Sequence, residues 1–152
     1  MVETRAGLFT VGVFQDVAWA TKGLDALKRA GFASESMTVM AKESADTAAL
    51  IERTLGSSGE RIEAAAIGPL VARGPLVAVL QGDTGDLKTM GMAGTMRRVG
   101  FQPHDARIFE ALTGRGGVLV AIHNEPRAAD ALAILHSYGG GNAAIGAWSG
   151  RV

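Results

Sequence analysis

A chain of 152 residues is the size of one compact domain that can bury a core without disulfide or metal staples. Its 15 lysines and arginines balance 15 aspartates and glutamates, so the basic footprint that neutralises nucleic-acid phosphates is missing and nucleic acid is not an expected partner. With no cysteine, disulfides, thiolate metal sites and a cysteine nucleophile are excluded.

Residues 8–14 alternate as a strand, with Phe9, Val11 and Val13 on one side and Leu8, Thr10 and Phe14 on the other. Both sides are largely apolar, which predicts cover on both. Asp16 is placed to N-cap a helix over 17–30, whose stripe is Val17, Ala20, Leu24 and Leu27 and whose end is marked by Lys28, Arg29 and Gly31. Trp19 lies off that stripe. A strand over 37–41 completes a first βαβ unit, 7–41, for which a right-handed crossover is the rule. Residues 42–61 are the most polar stretch and the expected mobile segment, with a helix over 46–55 and then a GSSGER break. The triplet GPL follows twice, at Gly68 and Gly74. It frames a short strand at 70–73 and a buried run at 76–80, helical or extended. A helix over 86–99 carries small and flexible residues on one face and bases at its end. Pro103 opens another helix to about residue 112, ahead of a GRGG turn. The second unit, 114–148, comprises a strand at 118–123, a helix over 126–138 and a last strand within 142–148.

The two ends of the chain are weak copies of each other. Val118, Val120 and Ile122 match Phe9, Val11 and Val13; Asn124 and Glu125 match Gln15 and Asp16; Leu132, Leu135 and Gly139 match Leu24, Leu27 and Gly31. Two βαβ units whose first strands lie together in the middle make an α+β ferredoxin-like plait with an antiparallel sheet and two helices on one face. Residues 1–152 are thus read as one domain, in which the Gly-rich, partly helical insertion 42–113 packs on the plait, over the face its helices leave bare. An uncovered face would be an apolar patch demanding a partner. The opening MVETRAG has no signal-peptide pattern. The most apolar window, 62–80, contains Glu63, Pro69, Arg73 and Pro75, so membrane association is not expected and a cytoplasmic location is.

The opening TVGVFQDVAWATKGLDALKRAGFASESMTVM, the double GPL of IGPLVARGPL, the run VGFQPHDARIFEALTGRGGVLVAI and the ending AADALAILHSYGG together resemble the general stress protein 17M-like domain family, the YflT-type heat-induced stress proteins of bacteria. The central Gly/Ala-rich stretch of that family is short in this chain. The resemblance implies a stress-linked bacterial protein without an assigned reaction, and it supplies no catalytic residue.

The residues themselves offer little chemistry. His104, His123 and His136 show no ligand spacing. His104, with Asp105 and Glu110, reads as a solvated helix start, and His136 as a cation near a helix C-terminus. His123, at a strand end beside Glu125, is the best candidate for a polar site, although a hydrogen-bonded turn histidine is the plainer reading. GRGG and GMAG lack the strand-loop-helix setting and the lysine of a phosphate loop. GMAG is better explained by close helix contact. Serines 34, 36, 44, 57 and 58 have no elbow or partnered histidine. Met90, Met92, Met96, Phe101 and Phe109 read as core, whereas Trp19 and Trp148 are candidate subunit contacts. The expectation is a non-enzymatic protein without cofactor or metal, acting through homo-oligomerisation or a protein partner. The alternative is a small-ligand or metal-binding plait, or an enzyme of the dimeric α/β-barrel type, using His123 with Glu125 or His104.

Overall fold

The computed structural model describes residues 9–82, 85–123 and 128–138. In chain order they form β1 (Phe9–Phe14), α1 (Val17–Arg29), a 3-10 turn (Ser34–Ser36), β2 (Met37–Lys42), α2 (Ala45–Leu55), β3 (Glu60–Ala64), β4 (Gly68–Arg73), α3 (Pro75–Gln81), α4 (Asp86–Arg98), α5 (Pro103–Gly114), β5 (Val118–His123) and α6 (Ala128–Ser137). The five strands make one antiparallel sheet in the order β1-β5-β2-β4-β3. The two related strands lie side by side as the repeat predicts, with Gly12 opposite Val120. The expected last strand within 142–148 falls outside the described residues, as do Glu125 and Trp148.

Every residue of β5 except His123 is buried, because successive side chains of this central strand enter different cores. Val118, Val120 and Ile122 join Phe14, Val39, Leu24, Leu27, Ile51 and Leu135, beneath α1, α2 and α6. Leu119 and Ala121 join Val11, Val13, Met40, Leu80, Leu87, Met96 and Phe109, beneath α3, α4 and α5. Each fully buried Leu, Val, Ile or Phe contributes about 1.5–3 kcal/mol of transfer free energy, so these layers hold the sheet from both sides. The insertion covers the face expected to be bare. It also does more than cover, since it adds β3 and β4 to the sheet and α2 to the opposite layer.

Two local expectations change, and one left open is settled. The GSSGER stretch is not simply a break: Gly56, with φ +77°, closes α2, and ERIEA then enters the sheet as β3 with only Ile62 and Ala64 buried. The hairpin to β4 turns through Ala66 at φ +76°, a left-handed conformation costly for a residue with a Cβ. The run 76–80 is helical, opened by Pro75 at the first turn. The helix over 86–99 is broken at Gly91, with φ +76° and ψ +175°. A Cβ there would lie 3.0 Å from the Ala65 carbonyl oxygen and 3.2 Å from Glu110 Oε2. GMAG is therefore small where α4 meets the hairpin and α5, and Gly91 is a break in the helix, not a residue of a smooth contact face.

Candidate functional site

The antiparallel register fixes what gathers at one end of the sheet. Phe9 lies opposite His123, Met37 opposite Ile122, and Val39 opposite Arg73. A cavity of about 760 Å3 opens at this end, between the 3-10 turn, the C-terminus of α2 and the start of α3. Met37 and Val77 supply apolar wall, and Glu35, Glu60, Arg73 and Gln81 supply polar groups. The Arg73 guanidinium donates to the Ser58 carbonyl at 3.4 Å.

The strand-to-helix corner at this cavity is tightly built. Gly74 has φ +128°, and a Cβ on it would come within 2.5 Å of Thr38 Oγ1. Thr38, itself buried, uses that hydroxyl to accept a hydrogen bond from the Leu76 N–H at 3.0 Å. A side chain from β2 thus satisfies an amide in the first turn of α3, one that no residue of that helix can reach. A second long-range cap holds α4: Glu110 Oε2 accepts from the Ala93 N–H at 3.0 Å, where the helix restarts after Gly91. Arg98 closes the other end. It donates to the Val79 and Leu80 carbonyls, both at 2.9 Å, and pairs with Asp86, so one guanidinium joins α3 to both ends of α4.

The histidines do not converge. His123 is half-buried and stacks on Phe9, ring centroids 4.7 Å apart and planes 31° apart; it does not line the cavity. His104 is largely in solvent, with Nδ1 3.7 Å from Asp105 Oδ1, and Glu110 is engaged in capping. His136 is exposed on α6. Among the described residues no group of three His, Cys, Asp or Glu could hold a metal ion, and no helix is long and apolar enough to cross a membrane.

The chain matches no protein-family model, no curated protein and no solved structure.

On the surface, Trp19 is 42% exposed. Its amide donates to the Asp16 cap at 2.9 Å, and the Lys22 ammonium sits 4.6 Å from its ring centre as a cation–π pair. Met92 and Met96 are core, as expected, but Met90 is 44% exposed, because the break at Gly91 takes it off the buried face. Phe101 and Phe109 pack edge-on at 6.4 Å. On β3, Arg61 bridges Glu43 at 3.0 Å and Glu63 at 2.9 Å. The hydrogen bond to Glu43, then the charges of Glu43 and Glu63, raise its pKa and hold it charged. Sequence reasoning missed Thr38, Arg73 and the capping role of Glu110. Their partners lie from 15 to 38 residues away, beyond any local pattern.

Proposed function

We propose that this protein acts by association through its surface, with copies of itself or with a protein partner, and not by catalysis. One observation carries the reading: the sheet is buried by helices on both faces, and β3 is left as an outer strand whose Glu60, Arg61 and Glu63 are exposed. A sheet so enclosed can meet another chain only at an edge or through its helices, where Trp19 stands exposed. The physiological setting we attach to this is the bacterial stress response and the cytoplasm, on the strength of the motifs that resemble the general stress protein 17M-like family. We also read β1-α1-β2, with β5 between the strands, as one half of a ferredoxin-like plait, its second half being the unit 114–148. Sedimentation equilibrium tests association directly. A species heavier than one chain is expected, and a strict monomer up to several hundred micromolar, with no partner recovered by affinity capture, refutes the proposal.

A small ligand is the second reading, favoured by the cavity of about 760 Å3, a size that small-molecule sites share. It places the ligand beside Met37, Arg73 and Val77 in preference to the pair His123 and Glu125. Native mass spectrometry should then find a bound species that Val77→Trp removes; an empty wild-type protein counts against it.

A further inference from the structure

The outer edge of β3 carries its own complement. Among the described residues β3 pairs only with β4. Ile62 and Ala64 point into the core beneath α3, α4 and α5, so Arg61 and Glu63 stand on the opposite face, where both are exposed and where Arg61 bridges Glu43 and Glu63 of its own chain, pairs that a second copy has to exchange for its own. From this alternation we infer that the protein forms a two-fold dimer in which β3 pairs antiparallel with β3 of a second copy, centred on Ile62, joining the five described strands of each copy into one sheet. The inference rests on the self-association reading above and names its surface.

Charge selects the register. Face-preserving antiparallel pairing of a strand with itself must centre on a residue, and only three centres keep most of β3 paired. Centring on Arg61 sets Arg61 against Arg61, and centring on Glu63 sets Glu63 against Glu63. Centring on Ile62 sets Arg61 against the second copy's Glu63 twice over, with Ile62 opposite Ile62 and Glu60 opposite Ala64. Opposite charges directly across an antiparallel pair are favourable and like charges unfavourable, so one register is picked out and its neighbours are penalised. A run of one sign along an edge repels every copy and serves to block pairing; the mixed sign on this edge repels only the wrong registers. The dimer would be isologous, each copy giving and receiving the same contacts. Met90 adds exposed apolar surface on the layer beside this edge, since α4 packs on β3 and Gly91 lies against Ala65.

The experiment is a charge-exchange series followed by sedimentation equilibrium, with circular dichroism confirming that each variant keeps its fold. Wild type should be a dimer. Arg61→Glu sets like charges across both pairs, as does Glu63→Arg, and each should weaken the dimer by roughly thirtyfold, taking about 1 kcal/mol for each of two pairs turned from attraction to repulsion. An equal mixture of the two variants should restore a one-to-one dimer, because one chain is then acidic at both positions 61 and 63 and faces a chain that is basic at both. No rearrangement within a single chain can produce that rescue. The double exchange Arg61→Glu with Glu63→Arg should also dimerise, and it serves as the second variant if either single one fails to fold. A wild-type dimer left unchanged by the single variants overturns the β3 interface while leaving self-association standing. Failure of both the mixture and the double exchange to dimerise overturns it too. A monomeric wild type overturns both readings.

Discussion

Two buried threonines should respond oppositely to the same substitution. Thr38 and Thr113 are both fully buried, but the Thr38 hydroxyl accepts from the Leu76 amide at 3.0 Å, whereas Thr113 Oγ1 has no hydrogen-bond partner among the described residues. Thr38→Val keeps the volume and the strand preference, yet it leaves a buried N–H unpaired, which costs about 1–3 kcal/mol. At about 2–4 °C per kcal/mol for a domain of this size, the melting temperature should fall by roughly 2–12 °C. Thr38→Ser keeps the hydroxyl and gives up one methyl, so it should be the milder change. Thr113→Val removes a hydroxyl already buried without a partner and should stabilise by about 1 kcal/mol. Differential scanning calorimetry on the three variants decides the matter. If Thr38→Val melts at or above wild type, or Thr113→Val melts below it, the assignment of these two hydroxyls is wrong.

Ala66→Gly should raise the urea midpoint by up to about 1 kcal/mol of stability, because relief of the left-handed strain exceeds the entropy glycine adds to the unfolded chain; a loss would show that the hairpin turn is not strained. Gly74→Ala should cost about 3 kcal/mol or more, from a backbone region closed to side chains together with a clash against β2, and is read as loss of soluble protein or a large drop in melting temperature. Arg98→Met keeps the aliphatic stem but releases the Val79 and Leu80 carbonyls. After discounting for its partial exposure it should cost about 1 kcal/mol, and faster hydrogen exchange in α3 than in α1 would identify the lost tie.

The most regular parts of the chain were legible before the structure. Phe9, Val11 and Val13 alternate, Asp16 caps, and Val118, Val120 and Ile122 repeat the first strand, so β1, α1 and β5 fall where the pattern puts them. That β1 and β5 lie side by side was expected once the repeat was read as two βαβ units; their register was not. What stayed hidden depended on contacts distant in sequence. ERIEA has a strand's alternation, but only two of its residues are buried and the preceding GSSG spoke for a turn. Gly91 looked like one more small helical residue, because nothing near it in sequence announces the Ala65 carbonyl that presses on it. The polar candidates were legible as residues but not as a site: His104 could be named with its neighbour Asp105, while the Phe9 ring that stacks on His123 could not. The cavity near Arg73 had no signature at all, since its walls come from segments distributed over residues 34–81.

The position of β5 has a consequence for biosynthesis. The strand that joins β1 to β2 is encoded about 75 residues after β2 ends, so a chain emerging from the ribosome carries β1 apart from the β2-β4-β3 piece until Val118–His123 has been made. Apolar edges stay open until then, and the closing step spans long sequence separations, which slows folding and favours aggregation. Nascent chains halted before Val118 should therefore depend on chaperones for solubility, and those released after α6 should not.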